Sequence, residues 1–179
     1  MRFKLVEKFV NLKVSPAEKE QYIDEVWDVL QKGYAKVGGL KGVDREDIMH
    51  DEYLWKMVIR DGAVSAVSIY RVGPQHDRKA VCASCVPTPK GKSDLYMIMG
   101  EDAKMLDDRL VWAEVSEAPE HMYKKVGMPA LSSDAAEEIM NSRGKKIISK
   151  NPDGEHYTRI IGGEPKEKTI VGYDIRKLR

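Results

Sequence analysis

The 179-residue chain is short of cysteine and almost without net charge, and each shortage excludes something. Two cysteines, Cys82 and Cys85, cannot make a disulfide framework. Their C-x-x-C spacing invites a zinc or redox reading. Zinc needs two further ligands at matching spacing, and the four histidines (His50, His76, His121 and His156) are scattered singly. A redox pair belongs at the start of a helix, whereas this one sits in a strand-like segment, so ordinary strand cysteines and no metal are expected. Thirty basic residues nearly cancel twenty-nine acidic ones, and a net charge of +1 gives no overall attraction to nucleic acid or anionic membrane. Local basic clusters occur at Lys90–Lys92 and Lys145–Lys146. No apolar run approaches a membrane span. The opening residues, MRFKLVEKFV, are too short and too charged for a signal peptide, so the expected location is the cytoplasm, with no membrane partner.

What is present suits one globular domain over residues 1–179: apolar residues make up 42% and charged residues 33%. Phe3, Leu5 and Phe9 alternate weakly with charges and predict a strand over Arg2–Phe9. Ser15-Pro-Ala-Glu18 announces a helix, with Ser15 as N-cap, Pro16 at the first helical position and Glu18 closing a capping box. Ile23, Val26, Trp27, Leu30 and Tyr34 then recur at helical spacing, until Gly38-Gly39 ends the helix. Leu40–Asp51 reads as a loop or a short second helix with Asp44 as a possible cap. The clearest hairpin is Tyr53–Arg60 and Ala63–Arg71 around Asp61-Gly62. Arg78–Val86 is a further strand, stopped by Pro87 and Pro89. Gly91-Lys-Ser93 leads into a helix over Asp94–Leu106. Leu110–Val115 is a short strand and Pro119–Val126 a short helix ending at Gly127. A helix over Asp134–Ser142 with a capping box from Asp134 to Glu137, a strand at Lys145–Ser149, and a hairpin of Tyr157–Ile161 with Thr169–Tyr173 across Gly162–Lys168 complete the reading.

A meander followed by a strand–helix–strand unit implies an α/β or α+β fold: a mixed, mostly antiparallel central sheet with helices on both faces. The core is expected at about residues 1–128, with a C-terminal extension and closing hairpin at about 129–179.

The element order resembles that of the GNAT-type N-acetyltransferases, acyl-CoA-dependent enzymes, and two motifs carry the likeness. The family's cofactor loop reads Q/R-x-x-G-x-G/A between the fourth strand and a helix. The matching segment here is Thr88-Pro-Lys-Gly91-Lys-Ser93, which keeps the middle glycine. The second motif, N-x-x-A-x-x-L-Y-x-K-x-G-F, matches Met122-Tyr-Lys-Lys-Val-Gly127-Met128 at Tyr123, Lys125 and Gly127. By resemblance, Lys90, Gly91, Lys92 and Ser93 hold the pyrophosphate of acetyl-CoA. Free N–H groups and partial positive charge at a helix start suit that ligand, and a glycine permits close approach. Cys85 and Val86 line the thioester, which the family holds between two splayed parallel strands, here near Val115 as well. Tyr123 takes the part of the acid that protonates the leaving thiolate, a role a phenol with a pKa near 10 can fill. The family's usual glutamate base has no counterpart on Arg78–Val86; Glu114, Glu52 and His50 are the nearest alternatives. The reaction implied is direct attack of an amine on acetyl-CoA, driven by positioning and by polarisation of the carbonyl. The acceptor is unnamed, and the C-terminal hairpin is expected to shape its site or a homodimer contact. The run Ile160–Gly172 also resembles small phage-encoded proteins of this type.

Two rival functions share some of these features. Gly91-Lys92-Ser93 ends like a Walker A loop, but Val86 stands where the first glycine is required and prolines fill 87 and 89. A catalytically silent GNAT-like module that works through a protein or nucleic-acid partner would explain the degenerate loop and the missing base.

Overall fold

The computed structural model describes residues 8–10, 14–73, 77–104, 110–115, 117–144, 149–150, 156–161 and 164–174. The chain divides into two compact units, Met1–Lys104 and Met105–Arg179. The division falls inside the core expected at 1–128.

In the first unit, helix α1 (Pro16–Tyr34) begins on the predicted capping box. Ser15 Oγ accepts the Glu18 N–H at 3.3 Å, while the Glu18 carboxylate accepts the Ser15 N–H at 3.1 Å. Ile23, Val26 and Leu30 are buried on its inner face, with Trp27 and Tyr34 packed beside them. Gly38 stops the chain at φ 87°, after one 3-10 turn at Ala35–Val37. A second 3-10 turn, Asp47–Met49, is the short helix allowed for in the 40–51 stretch. Its N-cap is Glu46 rather than Asp44, although Asp44 Oδ1, from two residues earlier, accepts the Asp47 N–H at 2.9 Å.

Strand β1 (Lys8–Val10) pairs antiparallel with β2 (Tyr53–Arg60), which pairs with β3 (Ala63–Val72), which pairs with β4 (Arg78–Cys85). The strand expected at Arg2–Phe9 lies outside the described residues except for its last two positions. Asp61 (φ 50°) and Gly62 (φ 80°) make the tight β2–β3 turn that their sequence demands. Trp55, Met57, Val67, Ile69 and Cys82 face α1 in one apolar core. Helix α2 (Pro89–Lys104) covers the other face, where it meets Arg60 and Ser65. A helix on each face of antiparallel strands is the layering expected from the element order.

One boundary moves. Helix α2 starts five residues before the expected Asp94, because Pro89 opens the helix rather than blocking it. Residues 105 and 106 of the expected helix lie outside the described residues.

In the second unit, β5 (Leu110–Val115) pairs antiparallel with β8 (Glu164–Asp174). Strand β8 pairs with β7 (His156–Ile161), and β7 with β6 (Ser149–Lys150). Helices α3 (Glu117–Lys125) and α4 (Ser133–Ser142) lie between β5 and β6 in the chain. Trp112, Leu131, Ala135, Ala136, Ile139, Met140 and Ile170 form the core of this unit. The helix α4 cap is Ser132, two residues before the expected Asp134, which instead stands in the first turn. The closing hairpin is tighter than expected: Ile161 pairs with Glu164, so only residues 162 and 163 separate the strands. The charged run 164–168 with its proline resembled a loop, but its backbone continues the ladder. Of the strand expected at Lys145–Ser149, only Ser149 is described.

Candidate functional site

The β4–α2 junction is built from three local constraints. Strand β4 runs to Cys85, and the Val86 N–H still donates to the Ser65 carbonyl at 2.8 Å, so Val86 continues the edge of the ladder with β3. The chain then turns: the Thr88 N–H donates to the Val86 carbonyl at 2.7 Å. Thr88 is the cap of α2. Its Oγ1 accepts the Gly91 N–H at 3.0 Å, and its carbonyl accepts the Lys92 N–H at 3.0 Å. Pro89 has no N–H to leave unpaired. Among the described residues the Lys90 N–H finds no acceptor, and it is the open amide of this first turn.

Gly91 has a reason of its own to be glycine. A Cβ there would lie 2.3 Å from the Val86 carbonyl oxygen and 2.7 Å from its Cγ2. Helix and strand end can approach this closely only without a side chain at 91. The side chains of Lys90, Lys92 and Ser93 are exposed around this turn. Cys85 is half-buried, and its thiol is pushed up by burial, with Lys92 acting against and Asp94 in favour.

An ion pair between a buried Asp94 and a half-buried Arg60 pins the turn to the sheet. Asp94 is 1% exposed and receives Arg60 Nε at 2.6 Å on one oxygen and Arg60 Nη2 on the other. Ser65 Oγ donates to the same carboxylate at 2.6 Å. Burial alone would raise the Asp94 pKa; the hydrogen bonds from Arg60 and Ser65 and the charges of Arg60 and Lys90 outweigh it and hold the carboxyl below the usual aspartate value. The sequence reading missed Arg60, Ser65, Thr88 and Asp94. A Thr-Pro dipeptide before a helix was a signal for Thr88, whereas the 34-residue separation of Arg60 from Asp94 left no local one.

Cys82 and Cys85 do not form a pair. Three positions apart on a strand, they point to opposite faces, Cys82 into the α1 core. Burial raises the Cys82 thiol to about 12, which leaves it inert. Among the described residues no cluster of three metal-ligating side chains occurs.

The base candidates Glu52 and His50 stand apart from Cys85 along the sheet. Glu52 precedes β2 and pairs with Arg71 at 3.3 Å. Arg71 is opposite Lys79 on β4, six positions from Cys85, or roughly 20 Å along the strand. His50 is in the same turn as Glu52, where its carbonyl receives Lys19 Nζ at 2.9 Å. Lys19 is itself buried, and its ammonium also donates to Ile48, Met49 and Tyr53 carbonyls. Glu114, on β5, and Tyr123, on α3, belong to the second unit. Tyr123 is 7% exposed, and its carbonyl accepts the Met128 N–H at 2.9 Å, which closes the helix at Gly127 (φ 88°).

The same arrangement of elements occurs in solved acetyltransferases. An aminoglycoside 6'-acetyltransferase type Ii superposes with a TM-score of 0.60 at 10% identity, covering 90% of this chain and 94% of its own. The chain has the GNAT-type acetyltransferase fold. The ribosomal-protein-S18-alanine N-acetyltransferase from Escherichia coli matches with a TM-score of 0.53 at 13% identity over 90% of both chains. An acetyltransferase from Bacillus subtilis in complex with CoA matches with a TM-score of 0.51 at 13% identity, over 84% of this chain and 91% of that one. No family model and no curated protein sequence matches the chain. No described helix of this GNAT fold is long and apolar enough to cross a membrane.

Proposed function

We propose that the chain is an N-acetyltransferase that binds acetyl-CoA at the β4–α2 junction and transfers its acetyl group to an amine. The observation that carries this reading is the start of α2: an open Lys90 amide, the positive end of a sixteen-residue helix, and the Lys90 and Lys92 ammonium groups in one turn. That donor set fits a pyrophosphate. It is narrower than the four amides of Lys90–Ser93 expected from the sequence, since the Gly91 and Lys92 N–H groups are already bonded to Thr88. Gly91 then serves the site by letting α2 close onto Val86, and Cys85 and Val86 supply its strand wall.

In this reading the amine nitrogen attacks the thioester carbon, the C–S bond breaks, and the amine loses a proton to solvent. Tyr123 hands a proton to the departing thiolate, a role supported by its place in the Tyr-x-Lys-x-Gly motif. The named acceptors of the structural neighbours include an aminoglycoside, a ribosomal-protein alanine and spermidine, which share an amine and nothing else. A primary amine is therefore the class proposed here. The cytoplasm is the proposed location, and residues 1–179 the proposed catalytic domain.

One observation favours a second reading. Strand β4 carries no carboxylate, and the candidates His50 and Glu52 are distant from Cys85. A protein that binds the cofactor without using it, and acts through a protein or nucleic-acid partner, would look the same here. Calorimetric titration with acetyl-CoA and desulfo-CoA tests the common element: binding is expected at micromolar to sub-millimolar concentration, and its absence overturns the assignment. Release of free CoA thiol in the presence of a panel of amines then separates the enzyme from the silent module.

A further inference from the structure

Tyr34 is the last residue of α1, and helical spacing assigns it to the core. The structure gives it something more specific to do. Its hydroxyl accepts the backbone N–H of Ala83, in the middle of β4, at 3.2 Å. That N–H faces away from β3. The Val86 N–H donates to Ser65 on β3, so on this alternating backbone the 82, 84 and 86 amides point toward β3 and the 83 and 85 amides point to the opposite edge. Tyr34 thus reaches around from the α1 layer to the same edge of β4 that carries Cys85, about 7 Å further on.

Two features hold the phenol there. Gly33 lets α1 approach β4 so closely that a Cβ would lie 1.9 Å from Ser84 Oγ, and that Oγ donates to the Val29 carbonyl at 3.0 Å. A register shift leaves Val81 as an extra residue on β4, since Ile69 pairs with Cys82 while Tyr70 pairs with Ala80. Such a bulge re-aims the strand edge immediately before Ala83. The phenol stays protonated: burial, helped by Cys82 and opposed by the Ala83 N–H, pushes it up to about 12. The oxygen accepts from Ala83, and among the described residues its O–H donates to none. An O–H whose oxygen already accepts a hydrogen bond is a stronger donor.

We propose that Tyr34 is a ligand-binding residue: its O–H donates to an amide carbonyl of the arm that joins the nucleotide of an acyl-CoA to its thioester, where that arm runs along β4 past Cys85. This rests on the cofactor assignment above and adds a side-chain contact from α1. Acyl-CoA has two amide groups in that arm, at a distance from its phosphates, so the nucleotide and arm contacts separate experimentally.

The test is Tyr34→Phe, which keeps the ring and removes the hydroxyl. Coenzyme A and adenosine 3',5'-bisphosphate, which lacks the arm, are the two probes, both titrated by calorimetry. The variant is expected to bind coenzyme A roughly threefold to tenfold more weakly, the loss of one net hydrogen bond, and the bisphosphate as the unaltered protein does. Equal weakening for both probes would show a purely structural role and overturn the proposal, as would unchanged coenzyme A affinity. If the variant fails to fold, the Ala83 amide resonance of the unaltered protein serves instead. It should shift on addition of coenzyme A and stay in place with the bisphosphate; no shift with coenzyme A overturns the proposal. Absence of coenzyme A binding by the unaltered protein sinks the cofactor assignment itself, and it is seen before any variant is made.

Discussion

Asp94 concentrates the residue-scale energetics of the junction. A carboxylate that is 1% exposed and receives three hydrogen bonds loses its charge only at a cost to the fold. Asp94→Asn should destabilise the protein by about 1–3 kcal/mol, because one charge-assisted bidentate contact becomes a neutral, partly mismatched one. Urea denaturation at neutral pH measures this. The pH dependence has a definite sign. A folded-state pKa below the usual aspartate value means that the stabilisation is complete above about pH 4 and disappears as pH falls through the lower, folded value. The stability difference between Asp94→Asn and the unaltered protein should therefore shrink only below about pH 4. A gap that closes between pH 5 and 8 would contradict the assignment.

At the scale of elements, the junction depends on how closely α2 meets β4. Gly91→Ala adds a Cβ 2.3 Å from a backbone oxygen that cannot rotate away. The added helix propensity is worth about 1 kcal/mol, and overpacking against backbone costs about 1–3 kcal/mol. The clash should win, with lower thermal stability and weaker acetyl-CoA binding together. Thr88→Ala should cost about 1 kcal/mol through the lost cap, and Thr88→Ser should retain most of it. The two caps of the first unit also show how legible the elements were. Ser15-Pro16 and Thr88-Pro89 start their helices in the same manner, each hydroxyl accepting the N–H three residues on. The first was readable because Glu18 completes a box and apolar residues follow at regular spacing. The second follows a strand and has glycine where a box would have glutamate, so Pro89 resembled a strand terminator. The β2–β3 hairpin was readable to within a residue, since Asp-Gly admits few other conformations.

For the molecule as a whole, the buried Lys19 tests how far tertiary structure sustains a cost that local sequence does not announce. Its three N–H groups face four carbonyls at 2.7–3.4 Å, shortest to Tyr53 and His50, and hold the turn before β2 against α1. Burial lowers its pKa, with the Asp51 charge opposing. Lys19→Met should cost about 1–3 kcal/mol by leaving those carbonyls short of a donor, measurable by thermal denaturation. It should leave affinity for acetyl-CoA unchanged, since the turn it holds is at the far end of β2 from Arg60 and α2. At the level of turnover, Tyr123→Phe is expected to lower kcat by about 100-fold if the phenol is the acid, read from thiol release with an accepted amine. An unaltered kcat would remove Tyr123 from the mechanism.

Local sequence determined most elements, the Ser15 helix cap, the Asp-Gly turn and the strand-to-helix step proposed to hold a phosphate, because capping, turn chemistry and apolar periodicity act over a few residues. It also determined that Gly91 stands at that step. Tertiary structure alone decided why: the glycine admits the Val86 carbonyl, and two of the amides expected to be open are used by Thr88. It likewise brought Arg60 to Asp94 and Tyr34 to Ala83, across separations of 34 and 49 residues. Contacts of that range follow from how a helix docks on a sheet, and docking is set by the packing of many side chains at once rather than by any pattern a short window of sequence can carry.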